Sequence, residues 1–185
     1  MMLRYLCLIL LLISLDRSAF AACSDPSGPG VDWSECVKIG IKLDGADLSN
    51  ANLRGLLLSG STVTDTSFNG ADLSDARFAS TDLTGSDFSN ANLMRTTFTT
   101  VKLTRTIFHN AKINISTATN VDATDADFSN AEISNSMQFM MRFCRTIMPD
   151  GSVQSGGCNE NINLDWSSTK EISASLIILV YEAHS

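Results

Sequence analysis

From Leu43 to Ile133 every fifth residue is apolar. The series opens Leu43, Leu48, Leu53, Leu58, Val63, Phe68 and runs unbroken, with only Ala118 and Ala123 smaller than valine. Two positions before each of these residues stands mostly Ala, Ser, Thr or Val, as at Ala46, Ala51, Thr66, Ala71 and Ala91. Polar residues fill the positions between. A helix would repeat its apolar positions at 3.6 residues and a strand at 2.0, and neither yields a period of five. A fixed internal repeat of this kind predicts a solenoid of many short, similar elements.

The same series also orders itself at twenty. Phe68, Phe88, Phe108 and Phe128 form one column, preceded by Leu48. A second column is Leu53, Leu73, Leu93, Ile113 and Ile133, and the small residue before each member is Ala. Leu58, Phe78, Phe98 and Ala118 make the third, and Leu43, Val63, Leu83, Leu103, Ala123 and Phe143 the fourth. Four repeats per turn predict a coil with four sides. Parallel strands stack at about 4.8 Å, so residue i lies beneath residue i+20. Aromatic rings at that separation fall within the roughly 4.5–7 Å range of favourable stacking. Asn50, Gly70, Asn90, Asn110 and Asn130 share one corner. These residue types tolerate the positive φ of a type II turn.

Segments such as Ala46-Asp47-Leu48-Ser49-Asn50, Ala71-Asp72-Leu73-Ser74-Asp75 and Ala91-Asn92-Leu93 resemble pentapeptide-repeat proteins. The resemblance covers roughly residues 41–153. It implies an all-β fold, a right-handed quadrilateral parallel β-helix of about five coils, capped at both ends. The expected organisation is a signal peptide over 1–21, an N-terminal cap over 22–40, the repeat solenoid over 41–147, and a C-terminal cap with an apolar tail over 148–185.

Residues 1–21 read as a secretory signal, with Arg4 as the positive start, an apolar run from Tyr5 to Leu15, and cleavage after Ala19-Phe20-Ala21. That run is too short to span a bilayer, so no membrane span is expected after its removal. Cys23 follows the cleavage site, but Phe20 is a poor lipobox residue, and Asp16 and Arg17 interrupt the apolar lead. Soluble export, secreted or periplasmic, is therefore favoured over lipidation at Cys23. Four cysteines remain after cleavage: Cys23, Cys36, Cys144 and Cys158. Five coils separate the two pairs by about 24 Å, and a disulfide needs Cα atoms within about 7 Å. Only Cys23–Cys36 and Cys144–Cys158 are then feasible. In the chain-entropy account each short loop is worth on the order of 3 kcal/mol. Trp33 and Pro26 mark the N-terminal cap, Pro149 and Trp166 the C-terminal one. The tail run Leu176–Tyr181 is expected to pack as a cap or to mediate a homodimer.

Without residues 1–21 the chain carries eleven Lys and Arg against nineteen Asp and Glu. This acidity and the interleaved bases read first as a solvated surface. The chain has no nucleophile elbow, phosphate loop or metal spacing. His109 fills a slot held elsewhere by Ser49, Ser89 and Ser129, and His184 lies near the C-terminus. No catalysis, cofactor or metal is expected. The reading is a structural or protein-interaction module, its partner a protein or an extended polymer surface. Two alternatives compete with it. Some cytoplasmic relatives look like acidic rods that occupy the DNA site of type II topoisomerases, but an exported chain would not meet that enzyme, and no nucleic acid is expected as partner. Thr64, Thr84, Thr104 and Thr124 form a candidate outward ladder suited to ice or a polysaccharide, although Asp82, Lys102 and Asp122 flank it. Asn114-Ile115-Ser116 is a glycosylation acceptor only in a eukaryotic secretory route.

Overall fold

A computed structural model describes residues 22–158. The expected signal at 1–21, and Trp166, His184 and the apolar tail, lie outside the described residues. Within them the chain is a four-sided parallel β-solenoid of about five turns. A short 3-10 helix, Ala22–Ser24, comes first. One face stacks β1 (Val37–Ile39), β2 (Leu57–Ser59), β3 (Arg77–Ala79), β4 (Thr97–Lys102), β6 (Thr117–Asp122) and β8 (Met137–Arg142) in a single parallel sheet. β5 (Lys112–Asn114) and β7 (Glu132–Ser134) pair on a second face. Elsewhere the faces meet through isolated parallel bridges such as Asp47↔Ser67 and Asp72↔Asn92. β9 (Thr146–Ile147) and β10 (Val153–Gln154) form an antiparallel pair at the C-terminal end. Every partner across the parallel pairs is twenty residues away, as with Phe78 and Phe98.

The turns explain the five-residue period. Ala46 N–H donates to Leu43 O and Ala51 N–H to Leu48 O, each closing a four-residue turn. The third residue of each turn takes positive φ, 70° at Gly45 and 56° at Asn50, which a type II turn requires. Positive φ recurs at every fifth residue from Gly30 to Arg145. The β-helical register thus begins inside the segment expected to be a separate N-terminal cap. Trp33 already occupies the column of Leu53, its N–H donating to Asn52 O, and β1 is the first strand of the large sheet.

The core is an apolar column on each side, packed ring on ring. Phe68, Phe88, Phe108 and Phe128 stack with centroids 4.5, 5.1 and 4.6 Å apart. Phe78 and Phe98 stack in the next column at 5.1 Å, and Phe78 meets Phe68 and Phe88 edge-on. Both arrangements suit the ring quadrupole. Hydroxyls at the small inward position are also satisfied. Ser86 Oγ donates to Val63 O at 2.6 Å, Thr96 Oγ1 to Leu73 O at 2.9 Å, and Ser116 Oγ to Leu93 O at 2.6 Å. Each ties a buried hydroxyl to the coil below, which removes the cost of an unpaired polar group.

Candidate interaction surface

The core uses the inward side chains, so functional chemistry has to come from the outward columns. Asp or Asn just before the central apolar residue has a local task. Asp47 Oδ1 accepts from Ser49 N–H at 2.9 Å, Asp72 from Ser74 N–H at 3.0 Å, and Asp87 from Ser89 N–H at 2.8 Å. These i-to-i+2 bonds satisfy a backbone donor that the bridges leave over. The hydroxyl and amide of Ser49 hold the Asp47 carboxyl below the usual range, and those of Ser34 do the same for Asp32.

Other acids are paired between coils. Asp75 accepts a bidentate pair from Arg95 at 2.6 and 2.7 Å, with Arg54 3.6 Å away. Arg145 grips Asp125 in the same way. The bonds from Arg95 and Arg145 lower the pKa of these two carboxyls. Lys102 lies 3.3 Å from Asp82. His109 Nε2 lies 2.9 Å from Asp127 Oδ2, a partner that residue spacing did not reveal, because it sits one coil away and off the twenty-residue step. At Asp127, burial pushes the carboxyl up, and bonds from His109 and Ser129 more than offset it, leaving it lowered.

Thr64, Thr84, Thr104 and Thr124 do align on one face, half-buried. Their hydroxyls are largely committed. Thr64 Oγ1 donates to Asp44 at 2.9 Å, Thr84 to Asp82 at 2.5 Å and Thr124 to Asp122 at 2.6 Å. Lys42, Thr62, Asp82, Lys102, Asp122 and Arg142 run alongside in bridge register, so this face is a mostly charged ladder into which the hydroxyls of Thr64, Thr84 and Thr124 are bound.

The large sheet presents a different surface. Before the corner at Thr100 and Asn120, beyond which β4 and β6 run on to Lys102 and Asp122, its outward residues from β1 to β6 are Val37, Ile39, Leu57, Ser59, Arg77, Ala79, Thr97, Thr99, Thr117 and Thr119. Arg77 is the one charge among them. Val37 and Ile39 are 60% and 68% exposed. Each of the other three faces carries four or more ionisable side chains in its outward columns. A sequence reader could have found this face by taking the outward residues of the Leu58 column together.

The cysteines pair as Cys23–Cys36 and Cys144–Cys158, with Cα atoms 5.5 and 4.7 Å apart. Among the described residues no cluster of three or more His, Cys, Asp or Glu is placed to hold a metal. No helix among them is long and apolar enough to cross a membrane.

A family profile described as a pentapeptide repeat region matches residues 31–104. A solved pentapeptide repeat protein from the Arabidopsis thaliana thylakoid lumen is 31% identical, covering 50% of this chain and 68% of that one, with a TM-score of 0.42. Full-length QnrB1, a plasmid-mediated fluoroquinolone resistance protein, is 22% identical over 59% of this chain and 61% of its own, with a TM-score of 0.50. The pentapeptide repeat protein Rfr23 from the cyanobacterium Cyanothece 51142 is 14% identical, covering 58% and 86%, also with a TM-score of 0.50. The last two share the fold. No curated protein sequence matches the chain.

Proposed function

This chain belongs to the pentapeptide-repeat family, and we propose that it is a non-catalytic interaction module that engages a protein partner through its large parallel sheet. Pentapeptide-repeat proteins are in general structural or interaction modules rather than enzymes. The observation that carries the reading is the contrast between faces. Protein interfaces are depleted of charge at their centres, and from β1 to β6 the side of the sheet before the Thr100–Asn120 corner carries Arg77 alone, where the other faces carry ladders of acids and bases. Val37 and Ile39 add exposed apolar area at one end. The sheet is about 24 Å long and one short strand wide, less than the roughly 800 Å² per partner of a stable interface. A tight partner therefore also reaches round the corner formed by Thr100 and Asn120.

The two disulfides support an oxidising compartment, secreted or periplasmic. Mimicry of DNA is disfavoured by charge density. A duplex carries one charge per about 1.7 Å, whereas residues 22–158 hold fifteen acids and ten bases, many of them paired. The Thr ladder is disfavoured as an ice or polysaccharide surface because the hydroxyls of Thr64, Thr84 and Thr124 already serve carboxylates.

The test is a pull-down from the native source with mature, oxidised protein and two surface variants. Thr99→Glu with Thr119→Glu should abolish capture, and Asp47→Lys with Asp87→Lys should retain it. The opposite pattern would move the interface to the acidic face.

A further inference from the structure

The two ends of the solenoid are closed differently. At the first turn Trp33 is 2% exposed. Lys38 Nζ stands 3.9 Å over its ring and donates to Cys23 O at 2.6 Å. Trp33 Nε1 donates to Asp25 O at 3.1 Å, and Cys23–Cys36 ties that segment across the opening. A cross-linked stretch of chain thus seals the core here.

The other end holds an apolar cavity of about 40 Å³, lined by Phe98, Phe108, Ala118, Phe128, Phe143 and Met148 among others. It lies where the ring column stops: Phe98 pairs in register with Ala118. Ala118, Ile133, Phe143 and Met148 point into it and are only half-buried. One water occupies about 10–15 Å³ by this measure, so the space suits one branched side chain and is too small for a drug-sized ligand. Its hydroxyls are largely spent, since Ser116 donates to Leu93 O and Ser136 to Ile113 O. Water there would find few partners, and an apolar occupant is favoured.

The described chain leaves beside this opening. Gly157 N–H donates to Phe143 O at 2.9 Å, Arg142 Nε donates to Gly157 O at 3.1 Å, and Cys158 is bonded to Cys144. Residues 159–185 follow and contain the uncharged run Leu176–Tyr181. We infer that this C-terminal segment docks on its own solenoid and seats an apolar side chain of Leu176–Tyr181 in the cavity at Ala118. Reach is not limiting, because residues 159–175 span up to roughly 60 Å when extended. Tethering at Cys158 holds the run at an effective concentration of order millimolar, which favours it over the same run from a second copy.

Photo-leucine in place of Leu179 in the full, oxidised chain tests this. Irradiation should give crosslinks within one chain to the peptides carrying Phe143 and Met148. Crosslinks between chains, or none to the cavity wall, would overturn it. Ala118→Phe in the same chain fills the seat from inside without touching the tail, and it should abolish the crosslink while the solenoid's circular dichroism is retained. Ala118→Leu serves the same purpose if the Phe variant fails to fold. A crosslink that survives the filled cavity would also overturn the inference.

Discussion

Ala118 lies in register directly next to Phe98, where the stacked rings of Phe78 and Phe98 end. The neighbouring Phe68 column continues for two further rings. One coil therefore keeps its backbone ladder while losing core volume, and the cavity sits there. The spacing of apolar residues predicts the same weak point, because Ala118 and Ala123 are consecutive small centres.

Amide exchange should map this loss. Local opening follows apolar contact density, so amides at 113–123 should exchange faster than those at 73–93. Mass-spectrometric exchange of the oxidised protein reads this directly. Uniform protection along the rod would show that the backbone ladder, and not ring packing, sets local stability.

Phe88 should be the costliest single ring to remove. It is buried, lies between Phe68 and Phe108 at 4.5 and 5.1 Å, and meets Phe78 edge-on at 6.2 Å. Phe88→Ala should destabilise by about 3–5 kcal/mol. Equilibrium urea unfolding would measure it, and a cost below about 1 kcal/mol would mean that the coil collapses onto the vacancy.

Ile115 is a β-branched residue at φ 57° and 55% exposed. Left-handed backbone costs an ordinary L-residue about 1–2 kcal/mol, and Asn tolerates it better. Ile115→Asn should stabilise the protein by about 1 kcal/mol, seen as a raised Tm. Loss of stability instead would show that the isoleucine makes a contact worth more than the strain.

Acid should unfold the rod. Asp32, Asp44, Asp47, Asp75, Asp125 and Asp150 all have folded pKa values below their ordinary ones, owing to bonds from Ser, Thr or Arg partners. Protonation therefore favours the unfolded chain. The stabilisation is complete above the unfolded carboxyl value of about 3.9, and it fades as pH falls through the lower folded values. Tm should stay level from pH 8 to about 5 and then drop below about pH 4. A Tm unchanged down to pH 2 would mean that these bonds contribute nothing net.

The sequence by itself determined the solenoid, its four sides and its Phe columns. Stacking at i+20 is a property of the chain's own period, so each coil reports its neighbour. Rod length likewise separated the cysteine pairs. Contacts off that period were legible only in three dimensions. The Ser86–Val63 bond runs 23 residues and the His109–Asp127 pair spans adjacent coils. Both depend on how a side chain leaves its corner, which residue spacing does not encode. Positive φ at Ile115 was invisible for a similar reason, since a β-branched residue gives no local signal for a conformation that neighbouring coils impose. The nearly uncharged sheet face was within reach of the twenty-residue columns. Which outward charges and hydroxyls are spent on one another, as Arg95 on Asp75 and Thr84 on Asp82, was decided only by tertiary structure, because it depends on the rotamer each side chain takes at its corner.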